Sequence, residues 1–285
     1  MFELSHYAFL AALGATGLAF CMAVVGALSG RRQLAFAGVG ADVETSGMPA
    51  TWGRYGSILA VNAFLFLTAS LVLRGIAAGH APFSNMYEFS LAFSWCALAL
   101  GIFFERRYHF KTLALLVLPI ALGLQVYATT VSDTIEPLVP ALRNNLLLTV
   151  HVAMAILAYG AFTVAFAAGV LYMLQRKNGV KWLPKNSVLD EVGYKAVMVG
   201  FPMLALAILL GAVWAEIAWG TYWSWDPKET ASLATWLIYG GYLHARVVRG
   251  WRGERSAWLL IGGFGAILFT YYGNLFLGGM HTYAG

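Results

Sequence analysis

Six histidines and one dense run of indoles are the side chains here with the chemistry to hold a large flat ligand or a metal ion. The run is Trp214-Ala-Glu-Ile-Ala-Trp-Gly-Thr-Tyr-Trp-Ser-Trp-Asp-Pro-Lys-Glu-Thr230, with four tryptophans and one tyrosine between residues 214 and 225. Clustered indoles offer a broad, polarisable surface with few polar demands, which suits a planar ligand. The alternative is a belt of amphipathic rings at a membrane–water interface, which needs only one or two aromatics per helix end. Trp214, Trp219, Trp223 and Trp225 exceed that need. Gly220 gives room for close approach, and the run stops at Asp226-Pro227.

Neutral imidazole is a strong axial ligand for haem iron. His151 opens one apolar run and His281 closes another, at the same depth as the tryptophans. Each alone reads as a helix-end residue satisfied by water or backbone. Their coincidence with the indoles points to a bis-histidine haem site. His244 lies inside an apolar run, where ionisable groups are expensive and imply function. Gly240 and Gly241 clear space beside it. It is either an iron ligand or the first residue of a basic cap, and no second mid-membrane histidine exists in the chain to complete a haem there. His80, in His-Ala-Pro-Phe-Ser-Asn-Met-Tyr-Glu88, is a support residue or a plain turn residue. Arg143 and Lys228 are better placed than Arg74 to pair with the carboxylates of a haem, or else are rim charges.

These residues must be positioned by a membrane protein. Of 285 residues, 60% are hydrophobic and 11% charged, and the mean hydropathy is +0.71. A soluble domain has roughly twice that charge. A cytosolic enzyme and a nucleic-acid-binding domain are excluded, despite a net charge of +5. A hydrocarbon layer of roughly 30 Å takes about 20 helical residues. Eight runs meet that length, near 7–29, 55–75, 87–105, 112–129, 146–175, 192–214, 229–248 and 257–279. The first is too long for a cleavable leader and lacks a basic segment before it, so it reads as a retained span.

Fifteen of the eighteen Lys and Arg residues fall at one set of junctions, leaving Arg74, Arg143 and Lys228 for the other. The basic side is cytoplasmic by the positive-inside rule, so both termini face outward together with the indole segment. The expected fold is an all-α integral membrane protein of about eight transmembrane helices, residues 1–285 forming one domain with short loops. Segment 130–144 reads as a structured loop or short interfacial helix. Cys21 and Cys96, both within apolar runs, read as small buried residues; no Cys-x-x-Cys occurs.

The stretch Trp219-Gly-Thr-Tyr-Trp-Ser-Trp-Asp-Pro-Lys-Glu-Thr230 resembles the WWD signature of haem-handling proteins, most closely the CcsA (ResC) branch of the system II cytochrome c synthases. The resemblance runs from about residue 55 to the C-terminus. It implies that His151 and His281 are the external haem ligands, that His244 is the membrane-embedded one, and that haem b is a substrate. It implies covalent attachment of haem to the Cys-x-x-Cys-His sequence of an apocytochrome c, with positioning as the protein's contribution. A CcsB (ResB) membrane subunit is the implied partner, in the bacterial plasma membrane or the thylakoid membrane. The competing reading is a CcmC-like protein that delivers haem to a chaperone without forming thioether bonds; such proteins usually have six spans and lack the Asp-Pro-Lys-Glu-Thr continuation.

Overall fold

The computed structural model describes residues 1–36, 50–135, 145–175, 179–180 and 182–280. Among them the secondary structure is entirely helical: α1 (Phe2–Phe36), α2 (Ala50–Ala78), α3 (Met86–Tyr108), α4 (Ala114–Ala128, preceded by a 3-10 turn Lys111–Leu113), α5 (Asn145–Gln175), α6 (Asn186–Trp219), α7 (Pro227–Arg249), α8 (Glu254–Tyr272) and the short α9 (Asn274–Leu277). Each expected run has its helix. Six of them, α1 to α6, are long and apolar enough to cross a membrane, the fourth counted with its 3-10 turn. The chain is thus an integral membrane protein. Helix α7 is less apolar, because threonine, tyrosine, glycine, His244 and Arg246 interrupt its aliphatic residues, and α8 is only 19 residues long and begins with the charged pair Glu254-Arg255.

Helix ends follow local chemistry. Asn85 caps α3 by accepting from the Glu88 amide at 3.0 Å, and Arg106 and Arg107 in the last turn complement the helix dipole. Gly220 ends α6 in the left-handed region at φ 75°, a conformation that favours a residue without Cβ. The run expected to continue through 279 instead breaks at Gly273, and a single further turn forms α9. Of segment 130–144, residues 130–135 are a turn followed by irregular backbone with no helix; 136–144 lie outside the described residues.

Helices α3 and α5 form the centre, and α1, α2 and α6 lie at the periphery. Helices α3 and α5 meet closely at Gly160, where a Cβ would stand 2.7 Å from the Cys96 sulfur. Small residues at such points let helices pack where burial of apolar area supplies no drive, since lipid is as apolar as the core. Deeper in, Phe162 of α5 stacks on Tyr239 of α7 at 3.7 Å between ring centroids. Hydrogen bonds pin further pairs: Gln125 of α4 donates to Thr16 of α1 at 3.0 Å and to Ser94 of α3 at 2.9 Å, and Ser90 of α3 meets Tyr271 of α8 at 2.8 Å. Cys96 is buried as expected, but Cys21 is exposed. It sits on peripheral α1, whose outer face carries Leu10, Leu18 and Val25 and needs no protein cover in a bilayer.

The contacts divide the bundle into two ends. At one end meet the start of α1, the end of α2 and the start of α3: Ser5 bonds the Ser70 carbonyl at 3.1 Å, and Arg74 pairs with Glu88 at 2.6 Å. The start of α5 and end of α6 lie there too, as does the start of α7, whose Lys228 ammonium stands 5.3 Å from the Phe89 ring centroid of α3. At the opposite end Arg246 of α7 grips Asp190 of α6 through two hydrogen bonds of 2.9 and 2.7 Å, and the Gly253 amide adds a third at 3.2 Å.

Candidate functional site

The site is built where α5 begins and α6 ends. His151 sits in the second turn of α5, half-buried, and its Nδ1 is 2.7 Å from the Ala207 carbonyl of α6. A carbonyl only accepts, so Nδ1 donates, and in the neutral ring this leaves the lone pair on Nε2. Metal-binding imidazoles are oriented by such a bond from their other nitrogen. Gly211, one turn beyond Ala207, makes the approach feasible: a Cβ there would stand 2.6 Å from His151 Cε1 and 2.9 Å from Nδ1. Trp214 backs the imidazole, nearly parallel at 9° with centroids 6.5 Å apart.

The tryptophans do not form one flat surface. Trp214 is 2% exposed and belongs to a core cluster with Leu148, Val152 and Ile156, so it supports His151 from beneath and presents no face to an incoming ligand. Trp219 meets it edge-on at 73°, and Trp223 meets Trp225 at 90°. The result is a set of corners. Trp225 stands outermost, 69% exposed, on a backbone at φ 59° that non-glycine residues seldom adopt. Trp219 and Trp223 are half-buried, and the Trp223 Nε1 is buried with no hydrogen-bond partner among the described residues. The expected broad platform is thereby reduced to Trp219, Trp223 and Trp225.

Asp226 and Glu229 have structural duties. Asp226 is the N-cap of α7, accepting from the Lys228 amide at 2.9 Å, while Glu229 accepts from the amides of Ser224 and Asp226 at 2.9 and 3.2 Å. This reciprocal capping box, with Pro227 in the first turn, accounts for the Asp-Pro-Lys-Glu spacing. The other carboxylate oxygen of Asp226 accepts from the Met280 amide at 2.7 Å. Asp226 is 5% exposed and both oxygens are engaged, so its part is to hold the polypeptide just ahead of position 281 against the indole loop. Gly278 and Gly279, at φ 68° and 122°, give the bend that permits this. Asp226→Asn should keep the cap through its carbonyl oxygen yet lose the Met280 bond. A charge-assisted hydrogen bond contributes roughly 1.5–3 kcal/mol, so amide exchange over residues 278–280 should rise about tenfold or more while α7 stays protected.

His281 and Arg143 lie outside the described residues. The Lys228 ammonium is held over Phe89, in the apolar cluster that also contains Trp219. His80 bonds the Ala81 carbonyl through Nδ1 at 2.9 Å, and its Nε2 is buried without a partner among the described residues. Phe83 of the same segment packs against the Trp214 cluster, so the 80–88 stretch is one wall of the site. His244 is exposed on α7, toward the end away from His151. Arg74 is taken up by its buried bond to Glu88 and by the Tyr87 ring, 4.7 Å from its guanidinium carbon.

The sequence reading missed Gly211, Ala207, Phe89 and the Asp226–Met280 bond. Only the capping-box spacing of Asp226 and Glu229 carried a signal that local rules recognise.

Comparison with known proteins bears on this arrangement. The Cytochrome C assembly protein family profile matches residues 83–281. The "Cytochrome c biogenesis protein CcsA" of Guillardia theta is 36% identical over 257 residues, covering 80% of this chain and 84% of the relative. The protein of that name from Synechococcus sp. (strain RCC307) is 36% identical over 273 residues, covering 84% and 88% respectively. Among solved structures, "Cytochrome c Heme Lyase CcmF" superposes with a TM-score of 0.71 at 21% identity over 95% of this chain, a likeness of fold. This chain spans 46% of that larger one. With an indole loop capped onto α7, an oriented imidazole beside it and matches of this extent, the chain belongs to the cytochrome c assembly protein family, among its CcsA-type cytochrome c biogenesis members.

Proposed function

We propose that this chain receives haem through the membrane, presents it at the indole end and promotes its attachment to the Cys-x-x-Cys-His sequence of an apocytochrome c. One observation carries the reading: the Ala207 carbonyl fixes the His151 tautomer with the lone pair on Nε2, and Gly211 exists to let the ring lie there. That is a ligand's environment more than a helix-end residue's. His281 is the second ligand in this proposal, on the strength of its position one residue beyond the anchored Met280. Lys228 supports a carboxylate-bearing ligand. It is a cation at the positive end of its own helix, held by an aromatic ring, with no carboxylate within ion-pairing distance among the described residues.

The residues fit haem as a substrate. Bound there, the porphyrin supplies the vinyl carbons, and addition of a thiol S–H across each C=C forms one C–S and one C–H bond with no leaving group and no net redox change. The chain's task is orientation: His151 would hold the iron, Trp219, Trp223 and Trp225 would pack against the porphyrin, and Lys228 would pair a carboxylate. Holding both reactants turns an improbable encounter into a nearly intramolecular one.

All eight long helices cross the bilayer in this reading, α7 and α8 included, since about 1.5 Å per residue gives each close to the required length. The indole end faces outward, opposite the basic end. His244, exposed on α7, would hold haem together with a residue of a CcsB/ResB-type subunit.

Co-expression with that subunit and a Cys-x-x-Cys-His apoprotein tests the proposal. The expected product carries haem that survives acid-acetone extraction. Haem bound by the chain but passed on without thioether formation would favour the delivery protein; a purified complex with no Soret band would end both readings.

A further inference from the structure

At the end opposite the indoles, a cavity of about 650 Å³ opens between α2 and α3. Its size falls within the usual range of small-molecule sites, roughly 300–1,000 Å³. On α2, Arg54, Ile58 and Val61 follow one another at i, i+4 and i+7, so they form a single stripe. On α3 the facing stripe runs from Ile102 to Arg106. Both stripes therefore carry a cation at the helix end and aliphatic side chains toward the bilayer centre, over a depth of about 10 Å at 1.5 Å per residue, with Asn62 the polar side chain at that depth, its amide turned back to the Ile58 carbonyl. Lys111 adds a third cation. Its stem lies on Gly53, where a Cβ would stand 2.5 Å from Lys111 Cδ and 3.3 Å from Nζ.

None of the three cations has an ion-pair partner within 4 Å among the described residues. The one carboxylate in the cavity, Glu105, accepts a hydrogen bond from Ser57 and is tied to the α2 wall. The haem reading uses none of these residues.

We infer that the cavity is a binding site for an anionic amphiphile, whose phosphate or carboxylate sits among Arg54, Arg106 and Lys111 and whose apolar body lies along Ile58, Val61 and Ile102. Gradation from charge to hydrocarbon excludes a fully polar anion, which would leave the deeper wall unmatched. A uniformly apolar molecule would leave three cations facing the single carboxylate of Glu105. Two sources share the chemistry: an anionic phospholipid of the surrounding leaflet, and a dicarboxylate tetrapyrrole. The inference goes beyond the function proposed above and stands on separate residues.

Native mass spectrometry of the full chain, released from mixed dioleoyl-phosphatidylglycerol and dioleoyl-phosphatidylcholine, tests the first source. Ferric protoporphyrin IX and its dimethyl ester, titrated into a His151→Ala, His244→Ala background, test the second. Expected is at least a fivefold preference for phosphatidylglycerol over phosphatidylcholine, or for the diacid over the diester. The preference should fall to parity in R54Q/R106Q/K111Q, and Ile58→Trp, which fills the cavity without altering charge, should lose binding equally. Arg107, Arg249 and Arg252 are exposed at the same end outside the cavity. The triple variant R107Q/R249Q/R252Q should keep the preference; an equal loss there means diffuse attraction to the basic end and overturns the site. Parity for both probes in the unaltered cavity also overturns it, and melting curves of all variants show that binding was read on folded protein.

Discussion

Gly211→Ala is expected to lower haem retention at the indole end by about tenfold to a hundredfold, although it leaves every proposed ligand in place. A methyl at 211 would meet His151 Cε1 at 2.6 Å and Nδ1 at 2.9 Å, so the imidazole must move off α6. Moving it breaks the 2.7 Å bond to the Ala207 carbonyl, which favours the tautomer with its lone pair on Nε2. His151→Ala should remove retention and attachment outright, and added imidazole should restore part of the spectrum there but not in Gly211→Ala, where the tethered ring still occupies the space. Gly123→Ala is the control, because a Cβ at 123 meets nothing within 4 Å. It should be neutral or slightly stabilising, by up to about 1 kcal/mol, since alanine is the better helix former. Soret absorbance per polypeptide reads all three variants. Equal retention in Gly211→Ala and the unaltered protein would mean that the orientation of His151 is immaterial to haem.

The second large effect concerns the wall beside the site. Arg74 and Glu88 are 1% and 0% exposed and joined at 2.6 Å. The second Glu88 oxygen accepts from the Ser84 amide and hydroxyl at 2.6 and 2.8 Å, and Arg74 reaches the Thr134 carbonyl at 3.3 Å. Arg74→Met strands a carboxylate in the protein interior. Removing one partner of a buried pair costs about 3–5 kcal/mol, whereas replacing both by apolar residues is often neutral or stabilising. Arg74→Met should therefore depress the melting temperature and folded yield in detergent sharply, and Arg74→Met with Glu88→Leu should recover much of the loss. Because Ser84 and Phe83 belong to the same turn, the single variant should also weaken haem binding without touching a ligand. If the double variant is as unstable as the single, the pair is not the source of stability.

Asp226 belongs with these positions as a residue that acts through geometry. Its two oxygens join the start of α7 to Met280, although they are 54 residues apart in sequence. The sequence groups Asp226 with the haem-binding residues of the indole signature, and in the structure its two oxygens accept from the backbone amides of Lys228 and Met280.

Eight helical runs and the segregation of basic residues to one end were determined by the sequence alone. Both are one-dimensional quantities, set by bilayer thickness and by the cost of carrying charge across it. The candidate imidazoles and the indole cluster were legible for the same reason, since polar and aromatic residues stand out against an apolar background. Which face of each helix meets protein was decided only by the tertiary structure. Leucine against lipid and leucine against another helix differ little in free energy, so no periodic pattern marks the inward side. Burial of Trp214, exposure of Cys21, the close approach at Gly211, the Arg74–Glu88 pair and the break at Gly273 all depend on which neighbour a helix finds. That choice is made by shape and by a few hydrogen bonds between residues far apart along the chain, and spacing along a single helix does not encode it.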